Sequence, residues 1–201
     1  MITAEDAATF ERCMAVGGFA VFPADTVYGL ACDPDAKETV QRMHLLKRRS
    51  MDKPSAVMFF DAELALETLT ELEGPVRDAA QRLLPGAVTL LIPNPSHRFS
   101  LACGADPGTL GLRVPKLDTE LRNVRWPVLQ TSANFARRPD PRRLQDVPVG
   151  LRDSAELVLD GGELPGTPST VIDLRDYAKT GEYAIVRQGL FPADEVASRL
   201  Q

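Results

Sequence analysis

Apolar positions along the chain recur in two rhythms. At helical spacing, Ala7, Phe10, Met14 and Ala15 share one face behind Thr3 and Asp6, and Gly17-Gly18 closes the run, which predicts a capped N-terminal helix. Asp35 and Glu38 make a capping-box pattern ahead of Val40, Met43 and Leu46, predicting a second helix that ends near Lys47-Arg48. Further helical stretches run from Ala62 to Leu72, from Pro75 to Leu84 with proline in the first turn, and from Pro192 to Leu200. Short apolar runs bounded by turn residues read as buried strands: Phe19–Phe22, Ala56–Phe60, Val88–Ile92, Leu110–Val114, Val128–Thr131, Glu156–Leu159, Thr170–Leu174 and Ala184–Val186. About eight strands interleaved with four or five helices predict an α/β protein, a twisted mixed parallel/antiparallel sheet with flanking helices. No repeat and no Gly/Ser-rich linker divides the chain, so residues 1–201 are expected to form a single domain. The stretch from Ala136 to Gly150, with three prolines and four arginines, is the candidate for a mobile loop.

Composition narrows the class. A chain of 201 residues, 44% hydrophobic and 25% charged, is ordinary for a soluble globular protein. The three cysteines, Cys13, Cys32 and Cys103, lie in separate segments without C-x-x-C spacing, which fits a reducing compartment. The start lacks a signal-peptide pattern, and no apolar run reaches the ~18 residues of a membrane span. A cytoplasmic protein without a membrane partner is the expectation. With 23 basic against 28 acidic residues there is no general surplus of positive charge. Even so, Arg42, Lys47, Arg48, Arg49 and Lys53 crowd together, offset only by Asp52. Local cations on a net-negative chain point to a compact anionic ligand more than to a long polyanion.

The familiar catalytic patterns are missing. There is no G-x-x-x-x-G-K-[ST] loop and no G-x-G-x-x-G, and His44 and His97 have no neighbouring ligand pair and no place in a triad. Any reaction here would work by positioning reactants and neutralising charge. Lys47 and Arg49 can converge on one ligand only if the chain leaves helical geometry between them. With Lys53 they can then hold phosphate oxygens and a leaving pyrophosphate. A solvated helix end, where cations are favoured by the macrodipole, accounts for the cluster equally well. Arg48 is assigned to solvent. Thr131-Ser-Ala-Asn134 follows a strand, where an open α/β sheet presents ligand loops, or it is an ordinary capped turn. Thr26 either binds ligand or only turns the chain. Arg113 interrupts an apolar strand and needs a partner, a bound anion or an internal carboxylate; Arg187 stands in a comparable place.

Taken in order, these segments resemble the threonylcarbamoyl-AMP synthase family, the YrdC-like domain. The matching stretches are Pro23-Ala-Asp-Thr-Val-Tyr-Gly-Leu30, Lys47-Arg-Arg-Ser50 with Lys53-Pro54, Pro85-Gly-Ala-Val-Thr-Leu90 and Arg113-Val-Pro115. Ser132-Ala-Asn134, Ser169-Thr-Val-Ile-Asp173 and Val186-Arg-Gln-Gly189 complete the set, over about residues 8 to 190. The resemblance implies condensation of L-threonine, bicarbonate or CO2, and ATP into L-threonylcarbamoyladenylate, with release of pyrophosphate and help from Mg2+. It also implies a downstream tRNA threonylcarbamoyl transferase as partner, acting at adenosine 37. By matching position, Thr26, Arg113, Ser132 and Ser169 are expected on threonine or its carbamate. Lys47, Arg49, Lys53, Asn134 and Arg187 are expected on ATP and pyrophosphate, with Lys47 and Arg49 as the catalytic pair. Ala24, Ser50, Met58 and Arg142 depart from the family's pattern, and bear on amino-acid specificity and on the lid over ATP. The C-terminal domain of longer relatives is expected to be missing. A second reading keeps the fold as a non-catalytic double-stranded RNA or tRNA module, which the acidic balance and pI near 5.1 oppose. A third substitutes carbamoyl phosphate, as in hydrogenase-maturation relatives. On the leading reading, Lys47→Ala or Arg49→Ala should abolish turnover and leave thermal stability nearly unchanged.

Overall fold

The computed structural model describes residues 2–201; Met1 lies outside it. Nine strands form one sheet. They are β1 (Phe19–Pro23), β2 (Tyr28–Cys32), β3 (Ala56–Met58), β4 (Val88–Pro93), β5 (Thr109–Arg113), β6 (Val128–Ser132), β7 (Leu157–Val158), β8 (Thr170–Asp173) and β9 (Ala184–Arg187). Their spatial order is β7-β1-β2-β6-β3-β5-β4-β8-β9. The pairs β1–β7, β3–β5 and β4–β8 are parallel and the other neighbours antiparallel, so the sheet is mixed as expected. The helices are α1 (Ala4–Ala15), α2 (Lys37–Leu46), α3 (Ala62–Thr68), α4 (Gly74–Leu83), α5 (Val149–Ser154), α6 (Tyr177–Thr180) and α7 (Ala193–Leu200).

Several elements differ from the pattern-based expectation. Strand β2 was not anticipated, because Tyr-Gly-Leu-Ala-Cys carries little β propensity and follows a turn. It is a strand because β1 and β6 supply ladder partners on both its edges. Thr3 and Asp6 do cap α1 reciprocally, but α2 starts without a side-chain cap. The Asp35 N–H donates to Asp33 Oδ1 at 2.7 Å, which keeps Asp35 in the preceding turn. Ala15 is exposed rather than on the buried face of α1, and Cys13 takes that place. The stretch expected to be a mobile loop is anchored instead. Ala136 N–H donates to the Lys47 carbonyl at 3.1 Å and Tyr28 N–H to the Pro141 carbonyl at 3.0 Å, and the chain then enters a 3-10 turn at Leu144–Asp146.

Alternation along the strands assigns the two faces of the sheet. Val21, Leu30, Val57, Leu90, Leu112 and Ile172 point to one side and form a core with residues of α2, α3, α4 and α7. Ala20, Phe22, Ala31, Met58 and Val128 point to the other side, where α1 covers them with Phe10 and Met14. Phe10 rests against Phe22 and Phe60 with ring centroids 5.3 and 5.6 Å away. Its full burial contributes on the order of 2–3 kcal/mol. Helix α1 spans only part of this face. Farther across the sheet, Ala56, Gln130, Gly111, Arg113, Thr89 and Val171 occupy the same face and line an open cavity of about 480 Å³.

Candidate functional site

The basic cluster lies where α2 ends, and the way it ends decides where its side chains go. Arg48 adopts a left-handed conformation, φ 53°. Its N–H donates to the Leu45 carbonyl at 2.9 Å and the Arg49 N–H donates to the His44 carbonyl at 2.9 Å. This is a Schellman termination with arginine where glycine is usual. His44, buried in the last turn, places Nδ1 3.1 Å from the Ser50 carbonyl and braces the exit loop. The carbonyl can only accept, so Nδ1 carries the proton. The chain therefore leaves helical geometry between Lys47 and Arg49, as their convergence requires. Arg48 turns outward over the Phe135 ring, 5.4 Å from its centroid.

Lys47 itself is 2% exposed. Its ammonium donates to the carbonyls of Ser132 and Asn134 and to Asn134 Oδ1, the last two at 2.7 and 3.2 Å. Burial and the neighbouring Arg49 charge push its pKa down to about 7, while Asp140 and these oxygens favour the charged form. Lys47 thus pins the turn after β6 from behind. Ser132 Oγ donates to Asn134 Oδ1 at 2.8 Å, and the Asn134 amide holds the Arg138 carbonyl at 2.6 Å and Asp140 Oδ1 at 3.0 Å. Arg49 reaches forward instead. Nη1 donates to Thr131 Oγ1 at 2.9 Å and Nη2 to the Pro54 carbonyl, while Nε is buried with no partner.

On the far wall, Arg113 at the end of β5 is fully enclosed. It pairs with Asp25 and donates to the Val88 carbonyl at 2.8 Å and to Thr26 Oγ1 at 3.3 Å. Asp25 also accepts the Lys116 N–H at 3.1 Å, and burial pushes its carboxyl up against these favourable contacts. The charge that interrupts β5 therefore has an internal partner. Arg187, the last residue of β9, donates through Nη2 to the Ser169 carbonyl at 2.8 Å and to Ser169 Oγ at 3.3 Å, and that Oγ lies 2.8 Å from Thr89 Oγ1. The chain must pass very close here. A Cβ on Gly189 would sit 2.2 Å from the Pro168 carbonyl oxygen, so only glycine fits.

The cavity brings together Thr26, Arg49, Arg113, Ser132, Ser169 and Arg187 of the residues expected at the site. Lys47 and Asn134 stand directly behind its wall, and Lys53 is exposed and outside the lining. The expectation that Lys47→Ala leaves stability untouched does not suit this burial, since the change would orphan carbonyls inside the fold. Arg42 belongs elsewhere: it pairs with Glu156 at 2.7 Å and lies 4.8 Å from the Phe19 ring centroid. Sequence reasoning missed Thr89, Gln130, Asp106, Asp140 and Arg175 in the lining. Thr89 and Gln130 carry a signal, as polar residues on one parity of otherwise apolar strands. Asp140 was hidden in a stretch read only for its arginines and prolines.

Charge in the cavity is more balanced than the cluster suggests. Arg113 is matched by Asp25, and Arg175 by Asp173 at 2.5 Å. Among the described residues no carboxylate pairs with Arg49 or Arg187. Also among them, no group of three or more His, Cys, Asp or Glu is placed to hold a metal ion. The cavity therefore offers two guanidiniums without acidic partners and the hydroxyls of Thr26, Thr89, Ser132 and Ser169. Such a set is chemically suited to a polyanion beside a small hydroxylated or amino compound.

Comparison with known proteins agrees with the architecture. A Hahella chejuensis protein named threonylcarbamoyl-AMP synthase is 33% identical over 86% of this chain and 92% of its own length. A Pyrococcus abyssi protein of the same name is 28% identical over 90% of this chain but only 53% of its own. The chain thus spans about half the length of that longer relative. The crystal structure of P. abyssi Sua5 complexed with L-threonine superposes with a TM-score of 0.83 at 25% identity, covering 99% of this chain and 58% of that one. The family model Sua5_yciO_yrdC, described as telomere recombination, matches residues 12–189. The chain belongs to the Sua5/YciO/YrdC family.

Proposed function

We propose that this protein is an L-threonylcarbamoyladenylate synthase, condensing L-threonine, bicarbonate and ATP with release of pyrophosphate. The observation that carries the reading is the pair of guanidiniums without acidic partners, Arg49 and Arg187, on opposite sides of a cavity rich in hydroxyls. Arg49 turns its guanidinium, anchored on Thr131 and Pro54, towards phosphate oxygens and stabilises charge that builds on a departing pyrophosphate. Arg187, held on Ser169, clamps from β9. Thr26, Ser132 and the Thr89–Ser169 hydroxyl pair supply donors and acceptors for the amino acid's carboxylate, hydroxyl and carbamate. Arg113, held by Asp25, orients Thr26. Lys47 keeps the Ser132–Asn134 turn in place as a positioning residue. The carbamate oxygen would attack the α-phosphorus as the α–β bridging oxygen leaves, a step that needs alignment and charge but no protein nucleophile.

The relatives named threonylcarbamoyl-AMP synthase and the L-threonine complex of P. abyssi Sua5 support the same substrate. ATP would enter with Mg2+, and the adenylate would pass to a partner transferase that modifies tRNA. The test is pyrophosphate release from ATP with and without L-threonine and bicarbonate. Release that requires both is expected, with serine giving less than threonine. Release indifferent to threonine would sink the reading. Salt-sensitive tRNA binding without turnover would replace it with the RNA-binding alternative.

A further inference from the structure

Asp140 is the cavity residue that an anion-binding site should not contain. It lines the same wall as Arg49 and Ser132, in a segment anchored to α2 and β2 by backbone hydrogen bonds. Its Oδ1 accepts from Asn134 Nδ2 at 3.0 Å, and its Oδ2 has no hydrogen-bond partner among the described residues. The other unpaired carboxylate of the lining, Asp106, is used up within its own turn by Gly108 N–H at 3.1 Å and Thr109 Oγ1 at 2.6 Å. Asp140 lies close enough to Lys47 and Arg187 for its charge to support the protonated form of both. A carboxylate oxygen without a hydrogen-bond partner thus lines the cavity that also presents Arg49 and Arg187, the two guanidiniums expected nearest the phosphates.

A bare triphosphate brings more negative charge than two guanidiniums offset, and Asp140 would repel it further. A divalent cation reverses that sign. Mg2+ is commonly bound by one or two carboxylates together with substrate phosphates and water, not by a complete protein cage. One free carboxylate with no three-acid cluster nearby fits that arrangement. We infer that Asp140 Oδ2 is the protein ligand, directly or through a water, for the divalent cation that arrives with the nucleotide, making the cavity selective for the metal complex over free ATP. The inference rests on the nucleotide reading of the cavity given above.

Asp140→Asn removes the charge while leaving an Oδ1 to accept from Asn134, so the turn is kept. Binding is measured by calorimetry, without threonine, for ATP with excess Mg2+ and for ATP in chelator. The wild-type protein should prefer the magnesium complex by at least about tenfold. The variant should bind the magnesium complex about tenfold more weakly and free ATP about threefold or more tightly, so that the preference nearly vanishes. With Mn2+ in place of Mg2+, water-proton relaxation should report a ternary complex in the wild-type protein that the variant weakens equally. An unchanged metal preference in the variant overturns the inference and leaves the nucleotide reading intact. Loss of affinity for L-threonine alone, with metal preference kept, also overturns it by assigning Asp140 to an ammonium group. If the wild-type protein binds ATP in neither form, the nucleotide reading falls and the inference with it.

Discussion

Lys47 stands directly behind the cavity wall, outside the lining itself. An ammonium enclosed by the fold and pointed at three oxygens from Ser132 and Asn134 is a strut under the turn that carries the Ser132 hydroxyl. Its pKa near 7, against an ordinary 10.5, makes folding release a proton between those values. Stability should therefore rise with pH from about 7 towards 10, by up to about 1.4 kcal/mol per unit, relative to Lys47→Met. Urea unfolding of both proteins across that range measures the difference; a flat difference would mean that the oxygens keep the ammonium charged. Lys47→Ala should lower stability by about 2–4 kcal/mol, because it orphans buried carbonyls and opens a cavity. Arg49→Ala should remove turnover at a cost of only about 1 kcal/mol, since its guanidinium makes two hydrogen bonds at the cavity wall. Thermal unfolding and pyrophosphate release on the same samples separate the two roles.

Among the elements, the end of α2 does more than close a helix. Arg48 holds a left-handed conformation that costs an L-residue on the order of 1–2 kcal/mol, and its contact with Phe135 returns only part of that. Arg48→Gly should raise stability by about 0.5–1 kcal/mol and leave turnover unchanged, because the Schellman exit that sends Lys47 and Arg49 to different places remains. A drop in stability would show that the Phe135 contact outweighs the strain. Gly189→Ala should do the opposite, costing about 1–3 kcal/mol and turnover together, because the clash is with backbone at Pro168 and Ser169 that no rotamer can relieve. Most elements were legible in the sequence because their burial is periodic: Phe10 and Met14 mark α1, and Val88, Leu90 and Ile92 mark β4. Strand β2 was not, since Gly29 and Ala31 carry little β propensity and owe their strand to β1 across the turn at residues 24–27 and to the distant β6. The site showed the same division. Arg113 advertised a partner by interrupting a strand, but that Asp25 is the partner is a tertiary fact. Lys53 and Lys47 looked alike as neighbours in a basic run, yet Lys47 caps α2 and is enclosed by the turn after β6, whereas Lys53 lies in the exposed loop beyond.

At the scale of the whole molecule, one face of the sheet is sealed by helices and the other is covered by α1 at one end and open at the other. The open end is where β5, β4, β8 and β9 meet, so a ligand seated there touches strands that pair with one another. A ligand that binds only the native state should stabilise the whole sheet, by about 2.7 kcal/mol at a hundredfold excess over its Kd and about 5–10 °C in Tm. Thermal shifts with ATP and Mg2+, and with L-threonine, measure this; no shift at millimolar ligand would count against both as occupants of the cavity. The net charge of −5 adds a condition. Attraction for a polyanion is confined to the cavity mouth, so raising salt should weaken ATP binding while threonine binding stays nearly constant.

The order of strands along the chain has a consequence for synthesis. Thr26 and Arg49 emerge early, while Ser169 immediately precedes β8 and Arg187 ends β9. On the ribosome the N-terminal half can collapse around α1 and β1–β3 long before the cavity has its second wall. Until β9 arrives, β8 presents an unpaired edge, which invites pairing with another nascent chain. Translation halted before Ala184 would therefore release a product with no complete binding cavity and a sticky border. Quality control on β9 is therefore quality control on the cavity.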